Sequence, residues 1–211
     1  MKISARIAAA AAVVALMAGP AMARAAAPGY AQSAIDPNGA AGAYCKQTGG
    51  EVQRRVPQYG QSSNPLVLSG SHDFCRYKSK SDGSRIYVFI DTLYTTQPSL
   101  AALAYYAEVQ PGTCQGNPAA CYCTLLGGSD TFGSLGGAGG GWAFGRGEDP
   151  LLEACIFPDL SSIDSWGLTY HSQGIVRGID LSTVLKYPDP YAKTRHGKTL
   201  PTPYEKAPKA D

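Results

Sequence analysis

Ser71, His72 and Asp73 place the three side-chain types of a hydrolytic triad in one row. A triad works only when the three groups converge, nucleophile on base and base on orienting carboxylate. On an extended strand, adjacent side chains point to opposite faces. Ser71 and His72 therefore diverge, and the row reads as the start of a strand with His72 at the surface. No G-x-S-x-G elbow occurs elsewhere. A second set is acidic: Glu148, Asp149 and Glu153 lie near Trp142, an indole that could stack on a sugar. Carboxylates held about 5–10 Å apart cleave glycosidic bonds. The plainer reading makes Glu148 and Asp149 solvated loop charges before Pro150. The histidines, His72, His171 and His196, show neither H-x-x-x-H nor H-E-x-x-H spacing. His171 reads as a surface group, and a metal site would need His72, His171 and an aspartate from distant segments. The glycine-rich stretch 127–147 lacks the G-x-x-x-x-G-K-[ST] phosphate cradle. Its Trp142 and Phe144 either pack back on the fold or anchor a partner, for which aromatics in an adaptable frame are suited. No catalytic, cofactor-binding or metal-binding residue is assigned, and no cofactor is expected.

The cysteines are more informative. "NPAACYCTLLGG" (117–128) sets Cys121 and Cys123 between Asn117, a good N-cap, and Gly127-Gly128, a left-handed stop. Pro118 suits the first helical position. Ala119, Cys123 and Leu126 fall on one face of the helix between them. Cys121 points roughly 200° from Cys123, at 100° per residue, so the two serve different partners. The chain also repeats itself: "AYCKQTGGEV" (43–52) and "CYCTLLGGSD" (121–130) both read Tyr-Cys-x-x-x-Gly-Gly. Each is followed by a second cysteine beside aromatics, Cys75 or Cys155, then by an acidic turn, "SDGSRI" or "PDLSSI". Matching order and near-matching spacing predict a duplicated module. One bridge per module gives Cys45–Cys75 and Cys123–Cys155. Cys114 and Cys121, which have no counterparts, pair with each other. Loop-closure entropy gives about 3.7 kcal/mol for each module bridge and about 2.5 kcal/mol for the short one.

The elements that carry these residues are coarsely legible. "EVQRRV", "HDFCRYK" and "RIYVFIDTLY" predict three strands, the last two joined by the Asp82-Gly83 turn. "PSLAALAYYAEV" (98–109) predicts a helix from Pro98 that joins the modules. Asp36 and Pro37 open the helix that Gly49-Gly50 close. "SSIDSWGLTYHSQG" fits a strand or a helix, with Ile163, Trp166 and Tyr170 slightly favouring the helix. The fold class is α+β: two tandem stapled modules, each a short helix with a small antiparallel sheet.

The first 25 residues read as a signal peptide: Lys2 and Arg6, an apolar run from Ile7 to Ala18, and cleavage after Ala21-Met22-Ala23 or Ala23-Arg24-Ala25. Export and an even cysteine count point together to disulfides. No C-x-x-C occurs, which argues against a thioredoxin-type or zinc-ribbon motif. Removing Lys2 and Arg6 leaves 16 basic against 16 acidic residues. A neutral chain has no electrostatic footprint for nucleic acid. No later stretch predicts membrane insertion. The expected layout is a signal at 1–25, a first module with its connecting helix at 26–110, a second module with the glycine-rich loop at 111–186, and a Pro/Lys-rich irregular tail at 187–211.

"NPAACYCTLLGG" followed by "ACIFPDLSSIDSWGLTYHSQG" resembles a small exported bacterial domain family of unknown function, some of whose members carry a haemolysin label. Asn117, Pro118, Tyr122, Cys123, Gly127, Gly128, Cys155, Phe157, Pro158, Asp159, Ser161 and Trp166 match its pattern. Leu160 replaces the turn glycine, and Ile163 stands where a further cysteine is expected. The first copy matches at Tyr44, Cys45, Gly49, Gly50, Cys75, Asp82, Gly83 and Ser84. The family brings no established activity. Pore formation would need a long amphipathic stretch, and the 98–109 helix has no basic face. The expected function is a non-catalytic protein of the periplasm or exterior, binding an unknown protein or envelope ligand through loops. The alternatives are an inhibitor of proteases or glycosidases, and an envelope hydrolase using the acidic residues near 148–153.

Overall fold

Ala40–Gln47 forms the first helix, α1, and Gly49 ends it in the left-handed region at φ +89°. The computed structural model describes residues 39–59, 66–67, 70–130, 140–144 and 151–192. The expected leader, Asp36, Pro37, Glu148, Asp149, His196 and much of the glycine-rich stretch lie outside those residues. Four strands follow α1: β1 (Glu51–Tyr59), β2 (Leu66–Val67), β3 (His72–Lys78) and β4 (Arg85–Phe89). The strand expected through Tyr94 stops at Phe89, and Ile90–Tyr94 is a helix, α2. The spacing explains the change. Ile90 and Leu93, three apart, are both fully buried, which suits a helix and would split them across the faces of a strand.

Helix α3 (Leu100–Ala107) starts two residues later than Pro98 predicts, because Ser99 caps it by accepting from the Ala102 N–H at 3.3 Å. Helix α4 (Pro118–Leu125) has the expected cap: Asn117 Oδ1 accepts from the N–H groups of Ala119 (2.9 Å) and Ala120 (3.3 Å). Ala119, Cys123 and Leu126 are all fully buried, as one face requires. The chain then gives β5 (Gly140–Ala143), β6 (Leu151–Leu152), β7 (Ala154–Ile156) and β8 (Ser162–Asp164). Helix α5 (Ser165–His171) begins directly after β8, so the segment ambiguous in sequence holds both a strand and a helix. A 3₁₀ turn at Leu181–Thr183 follows.

The strands form one antiparallel sheet in the order β6-β5-β1-β3-β4-β8-β7, with β2 also on β1. Two small separate sheets were expected. Instead Val88 of β4 pairs with Ile163 of β8, and β5 adds to the far end of β1. The outer strands, β6 and β7, are consecutive in the chain with only Glu153 between them. One segment, 151–156, thus serves both edges and curls the sheet toward closure. Unpaired strand edges invite non-native pairing, and this arrangement covers edges that two short sheets would expose.

The two faces of the sheet hold two cores. On the helical face, Val52, Cys75, Val88, Ile163 and Cys155 form a row across five strands. Tyr105, Tyr106, Leu126, Leu168 and Leu181 pack over that row. The beginning of the expected tail joins this core: Tyr106 Oη donates to the Tyr187 carbonyl at 2.6 Å. On the inner face, Phe74, Tyr87, Phe89, Trp142, Leu152 and Ala154 form a second cluster. Arg55 is fully buried there. Its Nη1 donates to the Trp142 carbonyl (2.9 Å), its Nη2 to Gln53 Oε1 (2.7 Å), and its guanidinium stacks 4.7 Å over Tyr87.

The disulfides are Cys45–Cys75, Cys123–Cys155 and Cys114–Cys121, the pairs expected from the sequence. The two long-range bridges tie α1 to β3 and α4 to β7 with Cα separations of 5.7 and 5.5 Å. A Cβ at Gly50 would strike the sulfurs of Cys75 and Cys45, and one at Gly128 those of Cys155 and Cys123. Each helix therefore needs a glycine where its chain turns past its own bridge.

Candidate functional site

The kink between β6 and β7 leaves an opening beside the closing edge of the sheet. It is a cavity of about 180 Å³, with an apolar wall from Tyr87, Leu151, Leu152 and the Trp166 indole. Its polar groups are Arg85, Glu153, Asp164 and Arg177. Arg85 and Tyr87 come from one face of β4, where residues two apart share a side. Asp164 ends β8, and its Oδ1 caps α5 by accepting from the Gly167 N–H at 3.0 Å. Trp166 sits in the first turn of that helix. Arg177 follows α5 and lies 5.1 Å over the Tyr170 ring.

Glu153 is the one acidic candidate of the 148–153 set among the described residues, and it lies in this pocket. Its carboxylate is held from two directions. Asn117 Nδ2 donates to Oε1 (3.2 Å) and Oε2 (3.0 Å), and the Trp166 indole N–H donates to Oε2 at 2.9 Å. Asn117 thus caps α4 with its oxygen and tethers Glu153 with its nitrogen.

The remaining candidates are dispersed. His72 is half-buried, not on the surface as expected: it stacks on Phe89 with ring centroids 4.7 Å apart and meets the edge of Trp142 at 5.0 Å. Burial pushes its imidazole below the ordinary value, against the opposing pull of Asp91 and Asp73. Asp73 turns to the other side and binds Arg54 through both oxygens, at 3.0 and 2.9 Å. The Ser71-His72-Asp73 row therefore does not converge. His171, expected at the surface, stacks 3.7 Å from Tyr105 with its Nε2 3.4 Å from Glu108 Oε1. Among the described residues, no group of three or more His, Cys, Asp or Glu side chains could hold a metal ion. Nor is any helix among them long and apolar enough to cross a membrane.

Trp142 and Phe144, considered as partner anchors, face inward. Trp142 is 4 % exposed within the inner cluster, and Phe144 lies 5.3 Å from the Arg55 guanidinium. Burial in the second core removes the indole from the surface, so packing back, the other reading of these aromatics, describes it. The pocket residues Arg85, Tyr87, Asp164 and Arg177 were not singled out from sequence. The one available signal was the alternation in "RIYVF", which places Arg85 and Tyr87 on one side of a strand. The chain matches no family model, no curated protein and no solved structure.

Proposed function

We propose that this is an exported, non-catalytic binding protein made of two copies of a disulfide-pinned unit, and that its ligand seats in the pocket beside Glu153. The duplication is supported by shared geometry. In each half the helix ends through the same pair of bonds: Gly49 and Gly50 N–H to the Lys46 and Cys45 carbonyls, Gly127 and Gly128 N–H to those of Thr124 and Cys123. In each half a serine N–H turns back to an aspartate two residues earlier, Ser84 to Asp82 at 3.0 Å and Ser161 to Asp159 at 3.1 Å. In each half a short helix follows the last strand without a break. Export is supported by three disulfides, since such bonds persist in oxidising compartments.

The observation that carries the non-catalytic reading is the tethering of Glu153 by Asn117 and Trp166. Both Glu153 oxygens are engaged by Asn117 and Trp166, which fixes the side chain as part of the pocket wall. The test is a product assay: peptidoglycan fragments and a peptide mixture are incubated with the disulfide-intact protein and with Glu153→Gln, and new termini and reducing ends are counted. The expected result is no turnover by either. A product formed by the native protein and lost in Glu153→Gln overturns the reading.

A further inference from the structure

Resting on the binding reading above, we infer that the pocket recognises an α-carboxylate attached to an apolar side chain, either on a free amino acid or at the end of a peptide. Size comes first. At about 180 Å³ the cavity falls below the roughly 300–1,000 Å³ of sites for drug-sized ligands. It has room for about one residue and not for a sugar chain. Shape comes next: Leu151, Leu152 and the Trp166 indole give one apolar wall that would take an aliphatic or aromatic side chain.

Charge decides the rest. Glu153 and Asp164 already accept hydrogen bonds from Asn117, Trp166 and the α5 backbone. Arg177 is different: its contact among the described residues is the Tyr170 ring, and no carboxylate of those residues forms an ion pair with it. A guanidinium stacked on a ring keeps its planar fork of N–H donors, which matches a carboxylate through two parallel bonds. The other half shows the arrangement when it is satisfied internally. Asp73, two residues before Cys75 as Glu153 is before Cys155, takes Arg54 through both oxygens. In the second half the carboxylate is held by neutral donors, and Arg177 lines the same pocket. Ile175 and Val176, each 48 % exposed, directly precede Arg177 and extend the apolar surface available to a longer ligand.

The probes are N-acetyl-L-leucine, its primary amide and free L-leucine, titrated into the disulfide-intact protein and followed by backbone amide NMR shifts and tryptophan fluorescence. The acid should bind at least tenfold more tightly than the amide, with shifts at Leu152, Glu153 and Trp166. Arg177→Gln should weaken the acid at least fivefold and leave the amide unchanged, whereas Lys80→Gln, at an exposed turn, should change neither. Tighter binding of N-acetyl-L-leucine assigns the site to chain ends, and tighter binding of free L-leucine to the amino acid; both support the carboxylate inference. Equal binding of acid and amide overturns it and leaves the binding reading standing, as does an unchanged acid affinity in a folded Arg177→Gln. No saturable shift with any probe up to 10 mM, a concentration chosen to reveal Kd values of about 1 mM or tighter, also overturns it. Release of acetate from N-acetyl-L-leucine in the same tube would instead overturn the non-catalytic reading and leave the carboxylate preference intact.

Discussion

Gly50 and Gly128 occupy the same place beside their disulfides, and Cys75 and Cys155 face each other across Val88 and Ile163, yet Glu153 borders the pocket and Asp73, at the matching place before its own cysteine, does not. The features shared by the halves are backbone devices: a glycine stop, a bridge from helix to strand, an aspartate-serine turn. The features that differ are side chains. Asp73 is closed by an arginine, whereas Glu153 is closed by an asparagine and an indole. Helix α1 begins at Gly39 without a side-chain cap, and α4 begins at the capping Asn117. The comparison teaches that the stapled frame fixes the path of the chain, and that the halves differ in the side chains that close Asp73 and Glu153.

The largest effect that can test this equivalence is loss of a bridge. Replacing Cys45 and Cys75 together by alanine should cost about 3.7 kcal/mol, and the Cys123, Cys155 pair the same, because their closed loops differ by only two residues. The Cys114, Cys121 pair closes a loop with a sequence separation of 7 and should cost about 2.5 kcal/mol. Urea unfolding of the oxidised proteins gives the three values. A difference above about 2 kcal/mol between the two long bridges, more than the factor of loop length allows, would break the equivalence of the halves.

The pairing itself was legible because it follows from local patterns. A capped helix with one buried cysteine, repeated at similar spacing, leaves two unmatched cysteines over. The strands at 51–59 and 72–78 were legible through alternation and β-branched or aromatic content. The fused sheet was not. Pairing of Val88 with Ile163 joins positions 75 residues apart, and nothing local to "RIYVF" or "SSID" fixes that register. Helix α2 was misread for a related reason: its β-favouring residues fold as a helix because Ile90 and Leu93 bury together and Thr92 Oγ1 accepts the Ser162 N–H at 3.0 Å. The pocket was largely invisible in sequence since its lining comes from β4, the 151–153 kink, β8, α5 and the segment after it. Glu153 was noticed for its charge, and only the fold reveals that Asn117 and Trp166 hold it.

A second, smaller effect tests the glycines that pass the bridges. Gly50→Ala and Gly128→Ala each place a methyl group against two sulfurs that their own bond holds in position. Overpacking of this kind costs about 1–3 kcal/mol, and the two substitutions should cost the same within about 0.5 kcal/mol, the usual error of such comparisons. Thermal unfolding of each single variant measures it. A neutral Gly128→Ala beside a costly Gly50→Ala would mean that the second bridge sits in a looser setting.

The smallest effect concerns the turn where the halves carry different residues in one conformation. Gly83 adopts φ +72° between Asp82 and Ser84, and Leu160 adopts φ +65° between Asp159 and Ser161. The left-handed region costs a residue with a Cβ about 1–2 kcal/mol, while glycine loses about 0.5–1 kcal/mol more chain entropy on folding. The Leu160 side chain is 54 % exposed, so its removal forfeits little burial. Leu160→Gly should therefore stabilise the protein by up to about 1 kcal/mol. The reciprocal Gly83→Leu meets open space around its Cβ, so it should destabilise through the backbone alone, by up to about 1 kcal/mol once the recovered chain entropy is counted. Both are read as shifts in the urea midpoint at constant slope. If Leu160→Gly lowers stability, the leucine makes a contact that outweighs its strained backbone, and the two turns differ in more than their central residue.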